Sequence, residues 1–204
     1  IISKNTPLVG ISAMTVQFPY AIAIAKTIKT INPKIIIVLG GIHAKLFPEL
    51  TLKNHEFDVV VSGDGEITML EIFQHLNQKK SLNKINGIGF KINHRQVWTR
   101  TAPKVSPSQL PRMNYDLLQN YSPMVWYDGQ KSMSIYSGKG CPYSCTFCIN
   151  SVFNEGIRQR SIPNIISEIE YLINKHKITH FYPIDEYFCI NKNRLIEFLD
   201  LIEK

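Results

Sequence analysis

The sequence predicts an α/β protein: an open, doubly wound parallel sheet, then the opening strands and helices of a second parallel α/β body. Three observations predict it. Short β-branched and aliphatic runs alternate with amphipathic stretches over residues 7–92. The alternation lapses over residues 101–131, which hold four of the chain's eleven prolines. It resumes from residue 132. These shifts divide the chain into a first domain over 1–100, a linker over 101–131 and a second domain over 132–204.

Leu8 to Ile11 reads as the first strand. Residues 17–31 predict a helix, with Pro19 in the first turn, where a missing N–H costs little. Its apolar positions Phe18, Ile22, Ala25, Ile28 and Ile31 recur at helical spacing. Ile35 to Leu39 and Asp58 to Val61 are continuous apolar runs of the kind found in parallel strands covered on both faces. Glu66 to Leu76 predicts a helix with Met69, Leu70, Phe73 and Leu76 on one face. Ile88 to Ile92 and Gln96 to Arg100 predict two strands, paired as a hairpin around Asn93-His94. This order of elements is that of a Rossmann-like or flavodoxin-like sheet.

The linker carries Pro103, Pro107, Pro111 and Pro123, and one helical turn is expected near Asn114 to Leu118. Ser132 to Tyr136 reads as a strand that runs into a loop with Gly138, Gly140 and three cysteines. Ile162 to His176 predicts an amphipathic helix, with Ser161 as N-cap and Ile165, Ile169, Leu172 and Ile173 on its apolar face. Thr179 to Ile184 is the next strand. Asn191 caps a last helix showing Leu195, Phe198, Leu199 and Ile202. A closed βα barrel needs roughly 200 residues or more. The second domain is therefore expected to be incomplete. With no initiator Met, a longer parent chain is expected.

Of the 204 residues, 44% are hydrophobic and 19% charged, which is globular rather than disordered composition. No apolar run approaches the ~20 residues of a membrane-spanning helix. No secretory signal opens the chain, so a cytoplasmic protein is expected. The net charge is +7, and residues 1–100 hold 12 basic and 6 acidic side chains. The basic residues are scattered, which predicts a solvated surface and argues against a nucleic-acid partner.

All four cysteines lie at or beyond position 141, three of them in Cys141-Pro-Tyr-Ser-Cys145-Thr-Phe-Cys148. Three thiolates on one loop can hold three corners of an iron–sulfur cubane and leave one iron open to a ligand. A structural zinc would need Cys189, His176 or His180 as a fourth ligand, at no familiar spacing. A redox dithiol would use Cys145 and Cys148 and leave Cys141 unexplained. Cys189 itself reads as a small buried apolar residue.

Cys-x3-Cys-x2-Cys with an aromatic residue before the last Cys resembles the signature of radical S-adenosylmethionine (SAM) enzymes. Tyr136-Ser-Gly-Lys-Gly-Cys141, Arg158-Gln-Arg160-Ser161 and Phe181-Tyr-Pro-Ile-Asp185-Glu186-Tyr-Phe188 flank it. The resemblance implies that residues 132–204 begin a partial TIM barrel. It implies a 4Fe-4S cluster on Cys141, Cys145 and Cys148 whose open iron chelates SAM. Reduction by a donor such as flavodoxin or ferredoxin would then release a 5′-deoxyadenosyl radical. Phe147 would lie near the adenine. Asp185 and Glu186 would contact SAM's ammonium, a carboxylate–cation pairing that makes chemical sense. Arg158 and Arg160 could neutralise a carboxylate or phosphate, or serve the surface.

In the first domain Ser12, then Gly40-Gly41 with His43, then Gly63-Asp-Gly65-Glu66 each follow a strand, along one edge of the sheet. Placed ahead of the cysteine motif, this set resembles the cobalamin-binding domain of cobalamin-dependent radical SAM enzymes. Ser12, Gly40 and Gly41 would line the channel for cobalamin's nucleotide tail, and the Gly63–Glu66 loop would close beside the corrin. The cobalamin motif Asp-x-His-x-x-Gly is absent from this sequence. His43 reads as a loop residue rather than a cobalt ligand.

The resemblance implies methyl transfer to an unactivated carbon, or cyclisation or rearrangement, on a small-molecule or peptide substrate. An exposed cluster implies an anaerobic or low-oxygen setting. Methylthiotransferases acting on tRNA carry further cysteines in the first domain, and here no Cys precedes 141. A non-catalytic cobalamin- or metal-sensing module is the other alternative, and the open coordination position with Asp185-Glu186 argues against it.

Overall fold

A computed structural model describes residues 6–118, 125–127, 129–153 and 155–203. The chain divides into two compact units, Ile1–Val105 and Ser106–Lys204.

The first unit is built on a five-stranded sheet. Strands β1 (Leu8–Ser12), β2 (Ile36–Gly40) and β3 (Val59–Val61) run parallel. Strands β4 (Ile88–Ile92) and β5 (Arg95–Trp98) extend the sheet antiparallel, in the order β1-β2-β3-β4-β5. The expected hairpin is present. Asn93 (φ 50°) and His94 (φ 64°) are both left-handed, as a tight two-residue turn between twisted strands requires.

Helices α1 (Phe18–Ile31), α2 (Ile42–Leu46) and α3 (Pro48–Lys53) precede α4 (Gly65–Asn77) in this unit. Because side chains alternate along a strand, the sheet divides its apolar residues between two cores. Ile37, Leu39 and Val60 pack with Ala21, Ala25 and Ile28 of α1 and with Leu52 of α3. Val38, Val59, Val61, Ile88 and Phe90 pack with Ile72 of α4. The helix faces differ in detail from expectation. Ile31, Leu70 and Phe73 are exposed, while Thr68 and Ile72 are buried. Helix α4 has apolar residues around most of its circumference, so periodicity alone could not choose its inner side.

In the second unit, β6 (Val125–Tyr127) pairs antiparallel with β7 (Gln130–Ile135). A two-residue ribbon joins β8 (Gly138–Lys139) to β9 (Arg158–Gln159). Strand β10 (His180–Pro183) lies parallel to β7, in the register His180↔Ser132 to Pro183↔Ile135. Helix α5 (Ile149–Phe153) lies within the cysteine loop, and α6 (Ile162–His176) and α7 (Lys192–Ile202) flank β10 in sequence. Met133, Ile135, Ile162, Ile165, Ile169, Leu172 and Ile178 form the core.

Two caps behave differently. Asn191 accepts from Arg194 N, as expected of an N-cap. Ser161 occupies the N-cap position of α6, but its side chain makes no cap bond, and its N–H donates instead to Ser108 Oγ (2.8 Å).

Residues 106–117, inside the proline-rich stretch, make specific contacts in this unit. Tyr115 packs against the core and its hydroxyl donates to Glu168 Oε1 (2.6 Å). Arg112 lies over the Tyr171 ring (3.4 Å), and Lys175 bonds Asp116. Among the described residues no helix is long and apolar enough to cross a membrane.

Candidate functional site

The first unit presents its candidate residues at the carboxyl ends of the parallel strands. Ser12 ends β1, Gly40 ends β2, and Gly63 to Glu66 connect β3 to α4. Only one of these glycines is demanded by space. Gly41 has φ 87°, and a Cβ there would lie 2.8 Å from Ala13 N and from Ser12 Oγ. Gly40 and Gly63 would make ordinary contacts, at 3.9 Å to Val61 and 3.8 Å to Ala102. The two strand ends are stitched together by Ala13 N to Gly40 O (3.2 Å) and His43 N to Ala13 O (3.0 Å). Ser12 and Glu66 are exposed, as are the large apolar side chains of Met14, just after β1, and Ile42, at the start of α2.

His43 is not in a loop. It lies in the first turn of α2 and is buried. Its ring stacks on Phe18 (3.8 Å between centroids), with Nδ1 3.3 Å from Thr15 Oγ1. Burial holds its pKa below the ordinary value.

In the second unit the cysteine loop leaves the end of β7 through a narrow neck. Gly140 has φ 81°, and a Cβ on it would sit 2.0 Å from Gly156 O. The β8–β9 ribbon closes the same neck. Cys141 and Cys148 are half-buried and Cys145 is exposed, and Cys148 N donates to Cys145 O (3.0 Å). Phe147 is 92% exposed.

The tyrosines beside this loop carried no role in the sequence reading. Tyr187 lies 5.0 Å from Tyr143, ring to ring. Its hydroxyl titrates above the ordinary range, through burial first and then through Cys141, Tyr143, Cys145 and Cys148. The signal available in the sequence was position alone: Tyr187 directly follows Glu186.

Among the described residues no three His, Cys, Asp or Glu side chains gather around one point as a single ion requires. A cubane instead spreads its thiolates over separate irons, so three spaced thiols on one loop suit a cluster. The histidines that a competing zinc reading would need have other neighbours. His176 lies between Tyr115 and Tyr171, and His180 contacts Thr179. Cys189 is exposed rather than a buried apolar residue.

The two carboxylates after β10 differ. Asp185 accepts from Ser137 N (2.8 Å), Gly138 N (3.1 Å) and the Ser137 hydroxyl. Glu186 is exposed and accepts from Asn150 Nδ2 (2.8 Å). Arg160 is no surface residue. It is buried, pairs with buried Glu168 (2.5 Å), and donates to Tyr136 O (2.7 Å). Arg158 pairs with Glu155 at 3.2 Å. An open pocket of about 470 Å³, lined in part by Ser161, Ile162, Asn191 and Arg194, includes none of the cysteines.

Residues 1–73 match the family described as B12 binding domain. An uncharacterized methyltransferase of Pyrococcus horikoshii is 34% identical over 203 residues, covering 97% of this chain and 43% of that protein. The first unit therefore carries a B12-binding domain match, and the chain as a whole is similar to a methyltransferase. The anaerobic magnesium-protoporphyrin IX monomethyl ester cyclase of Synechocystis is 29% identical over 198 residues, 96% of this chain and 39% of that one. The fold is shared with the cobalamin-dependent SAM radical enzyme OxsB, solved with aqua-cobalamin and SAM bound (TM-score 0.76, 21% identity, 97% of this chain and 28% of that one). The chain thus spans roughly two-fifths of the length of these two relatives (43% and 39%).

Proposed function

We propose that the chain works as a cobalamin-dependent radical SAM enzyme, performing methyl transfer to an unactivated carbon or cyclisation or rearrangement of its substrate. The observation that carries this reading is the 140–156 loop. Three thiols stand in one glycine-necked loop at the carboxyl end of a parallel strand, and a B12-binding match precedes them in the chain. When bound, the 4Fe-4S cluster, SAM and cobalamin supply a 5′-deoxyadenosyl radical and a transferable methyl group.

The chain's own residues bind and orient. Cys141, Cys145 and Cys148 hold the cluster as thiolates, leaving one iron open. Glu186 offers an exposed carboxylate to SAM's ammonium, a charge-assisted pairing. Phe147 offers a free ring face to the adenine. Tyr143 and Tyr187 place apolar surface beside the thiols. In the first unit, Ser12, Gly40 and Gly41 let the backbone approach cobalamin's nucleotide tail, with Gly63 and Glu66 beside the corrin. The electron comes from a flavodoxin- or ferredoxin-like donor, and the substrate is a small molecule or peptide. A cytoplasmic, low-oxygen setting follows from an oxygen-sensitive cluster.

The test is anaerobic expression, cluster reconstitution, addition of hydroxocobalamin, desalting, and then the visible spectrum beside iron content. One corrin and about four irons per chain are expected. Iron without corrin overturns the cobalamin part and leaves a plain radical SAM enzyme. Corrin without iron overturns the radical part and leaves a sensing module.

A further inference from the structure

Ser137 is fully buried and joins four parts of the second unit. It follows β7 by two residues and stands immediately before β8. Its N–H and hydroxyl donate to Asp185, which follows β10. Its carbonyl accepts from Arg160 N (2.8 Å), next to β9, and from Arg194 Nη2 (3.3 Å) on α7. Gly138 N adds a third donor to Asp185 (3.1 Å). Asp185 Oδ1 thus takes two backbone N–H groups and Oδ2 takes a hydroxyl. Turning this carboxylate toward a ligand would strand buried donors, and a buried donor left unsatisfied is costly. Among the described residues Glu186 is tied only to Asn150.

We infer that Asp185 is a positioning residue that pins the base of the cysteine loop to the end of β10, and that Glu186 alone of the pair is open to SAM's ammonium. The inference rests on the radical SAM reading of this site. It departs from the role that the family resemblance implies for Asp185.

The two roles order the variants differently. In Asp185→Asn the amide oxygen keeps both backbone bonds, and the amide nitrogen donates to the Ser137 hydroxyl, which turns to accept. The geometry survives and the charge does not. In Asp185→Ala all three bonds are lost. Positioning therefore predicts rescue by Asn, whereas an ion pair with the ammonium predicts that Asn fails as Ala does.

The full chain is reconstituted anaerobically and assayed three ways. These are iron content, the response of the reduced cluster's electron paramagnetic resonance signal to added SAM, and protease cleavage within 139–157 of the metal-free protein. Asp185→Asn is expected to hold wild-type iron and to titrate with SAM within about threefold of wild type, since its bonds persist. Asp185→Ala is expected to lose iron and to be cut about tenfold faster, the scale of one or two lost buried bonds. Glu186→Gln should keep iron while weakening the SAM response about tenfold, as loss of one charge-assisted bond does. The inference is overturned if Asp185→Asn keeps iron but loses the SAM response. It is overturned equally if Asp185→Ala leaves both iron and cleavage unchanged. Wild-type protein that takes up no iron, or whose cluster ignores SAM, defeats the radical SAM reading instead. The cleavage comparison of the metal-free Asn and Ala variants then still decides whether Asp185 pins the loop.

Discussion

Single residues along this chain are constrained by space and by donors that lie far away in sequence. Gly140 is the clearest case. Its left-handed φ and its approach to Gly156 O leave no room for a Cβ. Gly140→Ala is expected to destabilise the second unit by about 1–3 kcal/mol, the range for a strained backbone position. Gly63→Ala is the matched control, because its Cβ would meet only Ala102 at an ordinary 3.8 Å. Urea midpoints of the two variants check this, and equal shifts would contradict the crowding at the neck. The glycine itself was visible in the sequence as part of the cysteine loop. That it is needed for an approach to Gly156, sixteen residues on, was not. Asp185 teaches the same lesson. Its acidity and its place after a strand were legible, but its bonds to Ser137 cross 48 positions.

At the scale of elements, most strands and long helices follow from pattern. Strands β1 to β4 coincide with apolar runs, and α1, α6 and α7 with helical periodicity. Helices α2 and α3 went unread because five- and six-residue helices hold too few turns for a period to show. Helix α6 is tied down by a device that periodicity does not report. Glu168 lies on its inner face, buried between Arg160 and Tyr115, amid the isoleucines that predicted the helix. Burial and this carboxylate hold the Tyr115 hydroxyl well above its ordinary pKa. Glu168→Gln leaves the Arg160 guanidinium buried without its counter-charge, which costs about 3–5 kcal/mol. Thermal denaturation of the variant checks this, and a change under about 1 kcal/mol would show that the pair contributes little beyond shape. Because Tyr115 belongs to the same cluster, the 106–117 segment should become more accessible to protease in the variant.

The whole molecule sets two candidate cofactor sites on separate units of one chain. Ser12, Gly40, Gly41, Gly63 and Glu66 belong to the first, and the three cysteines to the second. Replacing Cys141, Cys145 and Cys148 together by serine is therefore expected to abolish iron uptake while corrin retention persists, as iron analysis and the visible spectrum would record. Loss of corrin in that variant would mean that the first unit needs the second to hold cobalamin. What the sequence by itself determined is the class of fold, the principal strands and long helices, and the cysteine motif. Those are local properties: periodicity, turn residues and spacing are set within a few residues of one another. What only the tertiary structure decided is which glycine is obligatory, that His43 and Arg160 belong to the interior, which side of α4 faces the sheet, and that Asp185 is spent on Ser137. Each depends on distances between residues far apart in the chain. Burial and hydrogen bonding decide whether a polar side chain is left for a ligand or consumed in holding the fold, and neither is defined until the chain has packed.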